Sequence, residues 1–197
     1  KAFDRLASMK CFQRVSGHHN RLLSLYAPCL YDRYQTTMKA VFNHHPNLKR
    51  PFKSSVWPAV TFNLGPHSVT KEHVDTRNYT AGACPITVLG SYDPMKGSHM
   101  VLWDLKLIIE FPPGSTIILP SSTLRHGNTT IQPHKCWYSF TQYTSGTIFC
   151  WFNYGFRSTQ QLLEEDPELF ARMEMERDTR WAESLNLFST VDEYKPL

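Results

Sequence analysis

The chain has 197 residues, 41% of them apolar and 13% aromatic, which is enough for a sizeable core in one domain. Its net charge of +4 tolerates a polyanionic partner without demanding one. Five Cys (11, 29, 84, 136 and 150) are an odd number without regular spacing and form no C-x-x-C pair, so neither a zinc ribbon nor a disulfide framework is signalled. No apolar run reaches the roughly 18 residues of a membrane span, and no signal peptide opens the chain. Reduced, intracellular thiols are the default expectation. The chain opens on Lys rather than Met, as a fragment or processed product does.

Residues 1–50 read mainly as helix. Leu22, Leu23, Tyr26 and Leu30 recur at helical spacing with Pro28 interrupting, and Tyr31, Tyr34, Met38, Val41 and Phe42 continue the pattern. His18-His19 and His44-His45 are adjacent pairs. Neighbours on a helix face different ways, so solvated or capping roles are expected rather than a shared metal. Asn43-His44-His45-Pro46-Asn47 reads as a helix stop.

Residues 51–156 change character and read as a β core. Short β-branched and aromatic runs at 55–63, 83–89, 100–103, 105–111, 115–119, 137–143 and 147–152 are separated by Gly, Pro and Ser punctuation. Many short strands at this spacing predict an antiparallel sandwich or jelly roll. Residues 157–197 return to helix, with a charged amphipathic segment from Pro167 through Trp181 to Leu185. The expected architecture is α+β: one domain over 1–197, its β core braced by N- and C-terminal helices.

The chemistry centres on His73-Val74-Asp75 and the later His126. His-x-Asp on an extended segment sends both side chains the same way, because strands repeat with period 2. A second His from a later strand completes a two-His, one-carboxylate set, which leaves open positions on iron(II). The same alternation puts Arg77 on the side of His73 and Asp75. Asn63 has two open readings, a turn-capping amide or a pocket donor. His99 is expected at a strand end, outside the set.

Several strings extend the pattern: Phe62-Asn63-Leu64-Gly65-Pro66, His73-Val74-Asp75-Thr76-Arg77-Asn78, Val101-Leu102-Trp103-Asp104-Leu105, Phe111-Pro112-Pro113-Gly114-Ser115-Thr116, Arg125-His126-Gly127-Asn128 and Tyr138-Ser139-Phe140-Thr141-Gln142-Tyr143. Through these the whole chain resembles the TET/JBP-like 2-oxoglutarate and iron-dependent dioxygenases of mushroom-forming fungi that accompany Kyakuja-Dileera-Zisupton transposons. The resemblance implies a double-stranded β-helix and His73, Asp75 and His126 as ligands of Fe(II). It further implies 2-oxoglutarate as co-substrate and oxidation of methylated DNA bases, 5-methylcytosine or N6-methyladenine, in the nucleus. RNA is a second possible substrate, and the oligomeric state is left open. Asn63, Asn78 and Tyr143 are the expected substrate contacts, with Tyr79 and Trp103 as further aromatics. No catalytic residue beyond the metal set is implied. Phosphate contacts would come from Lys49, Arg50 and Lys53, or from Lys71 and Lys96, although Lys49-Arg50 also reads as a solvated loop.

One departure stands out. Where the family has an Arg two residues before a Ser, for the far carboxylate of 2-oxoglutarate, this chain has Trp137 before Ser139. A second family Arg is Cys150. Trp offers a single N–H donor and no charge. Three accounts follow. Another cation substitutes, Arg77 first, otherwise Lys135, His134 or Arg157. Or Trp137 narrows the pocket, so that 2-oxoglutarate binds weakly or a different co-substrate serves. Or the domain is a non-catalytic binding module for nucleic acid or a transposon protein. A cupin-like oxygenase independent of 2-oxoglutarate is a further reading. The expected co-substrate residues are thus Ser139, Arg77 and Trp137.

Overall fold

The structure, a computed structural model, describes residues 2–193. Three helices open it: α1 (Ala2–Ser8), α2 (Lys10–Tyr26) and α3 (Pro28–His44). Pro28 sits in the first turn of α3, where its missing N–H costs no hydrogen bond and its fixed φ suits the helix. It therefore divides α2 from α3 rather than kinking one long helix. Leu30, Tyr34, Met38 and Val41 recur every three or four residues and are all buried. Leu30, Tyr34 and Met38 pack with Leu23, Trp57, Ala83 and Phe149 into a core between helices and sheet. Each such side chain contributes about 1.5–3 kcal/mol relative to exposure.

Seven strands follow: β1 (Ala59–Asn63), β2 (Cys84–Ser91), β3 (Met100–Leu102), β4 (Leu107–Ile109), β5 (Thr116–Leu119), β6 (His126–Asn128) and β7 (Cys136–Tyr143). They form two antiparallel sheets, ordered β1-β7-β2-β5 and β4-β3-β6. The segment around His73 bridges antiparallel to His126 and extends the second sheet at β6. Successive segments thus alternate between sheets: β1 in the first, 70–75 in the second, β2 in the first, β3 and β4 in the second, β5, β6 and β7 in turn. That alternation is a double-stranded β-helix, so the chain has an α+β fold with a jelly-roll core. No helix among the described residues is long and apolar enough to cross a membrane.

The pleat sorts β7. Trp137, Ser139, Thr141 and Tyr143 face the interior between the sheets, whereas Phe140 and Gln142 face the helices. The register pairs Thr61 with Thr141 and Asn63 with Ser139, so β1 adds polar groups to the same inner wall. One end of the space between the sheets is closed by Val88, Tyr92, Met100, Leu102, Phe111 and Trp137. His73, Asp75 and His126 lie across from the polar wall.

Three expectations are corrected. The apolar run at 147–152 is not a strand but helix α4 (Gly146–Asn153). Ser145 accepts from Thr147 N and starts the helix, and Phe149 inserts between Tyr34 and Tyr79, stacking on the latter at 3.7 Å. A short apolar run rich in β-branched and aromatic residues carries no period that separates helix from buried strand. The C-terminal amphipathic segment is divided at Glu176 into α6 (Pro167–Met175) and α7 (Arg177–Leu185), preceded by α5 (Thr159–Glu165). His19 is not solvated. It is fully buried, with Nδ1 2.9 Å from Gln142 Oε1 and Nε2 2.6 Å from Thr87 Oγ1. Gln142 continues the network to Ser16 and Ser55. Among the other paired His, His18 is exposed, and His44 and His45 stack on Phe156 and Trp151.

Candidate metal centre

His73 and His126 face each other across a reciprocal backbone pair, His73 N to His126 O at 3.2 Å and His126 N to His73 O at 3.0 Å. Their rings lie 4.3 Å apart. Each Nδ1 meets the carbonyl two residues earlier, Lys71 O at 2.9 Å and Leu124 O at 2.8 Å. A carbonyl only accepts, so Nδ1 must carry the proton and Nε2 presents a lone pair to the site. This backbone arrangement fixes a ligating tautomer in both rings.

Asp75 completes the set. Its N–H donates to Ser121 O at 2.9 Å, which ties the segment to the loop before β6. Its Oδ2 accepts from Asn78 Nδ2 at 3.0 Å, while Oδ1 lies 3.6 Å from His73 Nε2. One ligand atom from each of the three residues falls within 4.8 Å of the other two. Burial holds His126 below the ordinary imidazole pKa, which favours the neutral, ligating form. Two imidazoles and one carboxylate converging from one side are a donor set for a divalent transition metal, with iron(II) foremost by ligand type.

The set borders a cavity of about 350 Å³, within the size range of small-ligand pockets. Its polar wall carries Thr61, Asn63, Ser139, Thr141 and Tyr143, and its apolar part carries Ile86, Met100 and Trp137. Asn63 Nδ2 donates to Ser139 Oγ at 2.7 Å, which leaves the serine O–H free to donate into the cavity. No Lys or Arg lines the cavity among the described residues.

The sequence-predicted residues divide accordingly. His73, Asp75, His126, Asn63, Asn78, Tyr143, Ser139 and Trp137 all border this space. Arg77 does not, and this corrects the facing argument. Strand alternation stops at Asp75, because Asn78 N donates to Asp75 O at 2.9 Å and closes a turn. The turn sends Asn78 inward and leaves Arg77 exposed. Asn78 is itself committed to Asp75, and its amide also meets Ser121 Oγ and Cys84 Sγ, so it positions the carboxylate rather than waiting for substrate. The other cations stay outside. Lys135 and His134 are exposed in the turn before β7, and Arg157 is held by Tyr154 O and Glu165. Cys150 is exposed on α4. His99 contacts Thr129.

Trp103 lies over Gly127, outside the cavity. Tyr79 is stacked on Phe149. Lys49, Arg50 and Lys53 surround Phe52, which packs on the helix-facing side of β7 through Phe140, so the sheet separates them from the cavity. Arg50 is further occupied by the Phe42 ring at 3.9 Å. Lys96 pairs with Asp93, and Lys71 is exposed two residues from His73.

Sequence reasoning missed the scaffold beneath the set. Arg125 bonds Asp104 at 2.7 Å and Glu72 at 2.7 Å, joining the residues that precede His126 and His73. Asn128 Oδ1 accepts from Thr70 N at 2.8 Å and its amide donates to Ser68 O, clasping the chain on its way to His73. Gly127 is required by the same crossing, since a Cβ there would sit 2.5 Å from Thr70 O. The adjacency of Arg125 and Glu72 to the two His was the available signal.

No protein-family model and no curated protein matches the chain. Among solved structures it is similar to NgTET1 in complex with 5mC DNA, at 16% identity and a TM-score of 0.49, covering 68% of this chain and 48% of that one. The chain therefore spans about half the length of that protein. A viral collagen prolyl hydroxylase from Paramecium bursaria Chlorella virus-1, in a 2OG complex, aligns at 13% identity and a TM-score of 0.33, over 57% of this chain and 72% of that one. An RmlC-like cupin from Desulfovibrio desulfuricans aligns at 15% and 0.29, over 43% and 81%. At these levels the likenesses accompany the fold, which stands on the strand order.

Proposed function

We propose that this chain is a single-domain, iron(II)-dependent oxygenase of TET/JBP-like type that acts on methylated bases in DNA in the nucleus, with a 2-oxo acid as co-substrate. The observation that supports it most is the convergence of His73, Asp75 and His126, both rings held in the ligating tautomer, on the edge of a cavity large enough for a small ligand. A bound iron(II) would supply oxygen activation coupled to oxidative decarboxylation of the 2-oxo acid.

The chain's own residues would do the rest. His73, Asp75 and His126 would hold the ion from one side, leaving positions open toward the cavity. Asn78 would keep Asp75 Oδ2 turned away from the ion. A base in duplex DNA must leave the stack to reach such a cavity, and Asn63 and Tyr143 offer an amide edge and an aromatic face to receive it. Lys71, exposed beside His73, is placed to meet the backbone.

The donor set fits iron. The cavity does not fit both ends of 2-oxoglutarate: its second carboxylate would find no cation among the described lining residues, and Trp137 occupies the closed end. That observation favours a second reading, a nucleic-acid-binding module without turnover. The test is incubation with iron(II), ascorbate, oxygen and either 2-oxoglutarate or a monocarboxylic 2-oxo acid, on oligonucleotides carrying 5-methylcytosine or N6-methyladenine. Mass spectrometry of the nucleosides should show an added oxygen. Iron-loaded protein that binds the DNA and oxidises neither base would leave the second reading.

A further inference from the structure

We infer that the cavity takes a 2-oxo acid with one carboxylate and an uncharged, apolar tail in preference to a dicarboxylate. This rests on the reading of His73, Asp75 and His126 as an iron site. The argument starts from charge. A divalent ion beside the Asp75 carboxylate leaves one positive charge in the cavity, which the carboxylate of a bidentate oxo acid balances. A second carboxylate would exceed it, and among the described residues no Lys or Arg lines the cavity to compensate.

The apolar lining argues the same way. Ile86, Met100 and Trp137 come from three strands, β2, β3 and β7, and present hydrocarbon and indole to whatever extends from the metal. Trp137 is 4% exposed and is packed among Val88, Tyr92, Leu102 and Phe111, so it does not swing aside to admit a cation from outside. Its Nε1–H is buried without a hydrogen-bond partner, and a single neutral N–H carries no charge to balance a second carboxylate.

The polar wall has neutral partners only. The cross-strand pairs Thr61–Thr141 and Asn63–Ser139 place hydroxyls and an amide side by side, and Asn63 Nδ2 is already given to Ser139 Oγ. Such groups suit a carbonyl or a base edge. A buried carboxylate without a cation or several donors is held poorly. The apolar tail would lie on Ile86 and Met100, leaving the hydroxyl wall to the substrate.

The experiment is an anaerobic titration of the iron(II)-loaded protein with 2-oxobutyrate, 4-methyl-2-oxopentanoate and 2-oxoglutarate in parallel. It follows the visible metal-to-ligand charge-transfer band, with calorimetry on the same mixtures. The expected result is half-saturation by a monocarboxylic acid at a concentration at least about tenfold below that of 2-oxoglutarate, the loss that one unmatched carboxylate brings. Equal or tighter binding of 2-oxoglutarate would overturn the inference and assign its second carboxylate to the hydroxyl wall. Iron binding with no response to any of the three acids would also overturn it while leaving the metal site standing. Failure to bind iron would remove the reading beneath it.

Discussion

Asn78→Ala isolates the orientation of the carboxylate from everything else in the site. In the native protein Asn78 Nδ2 lies 3.0 Å from Asp75 Oδ2, and Ser121 Oγ and Cys84 Sγ crowd the same amide. A hydrogen bond to a charged group contributes about 1.5–3 kcal/mol. The Asp75 side chain is 35% exposed, so water replaces part of that bond, and its contribution in the metal-free protein falls below that range. Apo stability should fall by about 1 kcal/mol. Metal affinity should fall further, because Asp75 must then be ordered by the ion itself: about 10- to 100-fold, as for other groups that orient ligands. The assay is competition between the protein and a chelator for iron(II) under anaerobic conditions, with thermal unfolding in parallel. Arg77→Ala is the control one residue away, exposed and outside the cavity, and should leave metal affinity unchanged. Native affinity in a folded Asn78→Ala protein, or an equal loss in Arg77→Ala, would refute the reasoning.

Gly127→Ala should destabilise the fold by about 1–3 kcal/mol in chemical denaturation, because the new Cβ meets Thr70 O at 2.5 Å and the backbone there cannot yield cheaply. Stability should also fall as pH drops from about 6.5 towards 4. Burial lowers the folded-state pKa of His19 to about 4, so the unfolded chain takes up the proton first and gains as pH falls through that window. Replacing His19 with Gln should flatten this part of the profile. A slope as steep in the variant would assign the effect to other groups. Thiol reactivity should be selective: Cys11, Cys29 and Cys150 are exposed and should alkylate in the native protein. Cys84 is buried with its pKa pushed up to about 12, and should react only on unfolding, as read by peptide mass spectrometry.

The sequence was most legible where physical periods are short and local. The β core showed itself through punctuated apolar runs, and Pro28 divided the N-terminal helices at the right place because its ring permits only the first turn. The His-x-Asp spacing placed two side chains on one face correctly, since two residues of extended chain suffice. The same rule failed two residues later, at Arg77, because a turn closed by Asn78 N and Asp75 O ended the extended run. No propensity marks that turn strongly. The run at 147–152 was misread because its helix depends on a tertiary slot for Phe149 between Tyr34 and Tyr79, more than one hundred residues distant in the case of Tyr34. The burial of His19 likewise depends on Gln142 and Thr87, from strands far along the chain. Whether Trp137 opened into the cavity or joined its closed end required the packing around Tyr92 and Phe111, which no linear pattern carries.

The most direct test of the account is the stoichiometry of anaerobic iron(II) binding to the protein and to His126→Ala. The account predicts one ion per chain in the native protein and its loss in the variant, with the far-ultraviolet circular dichroism of both proteins the same. Binding that survives in a folded His126→Ala protein, or a native protein that takes up no iron, would contradict the assignment of His73, Asp75 and His126 as the metal centre.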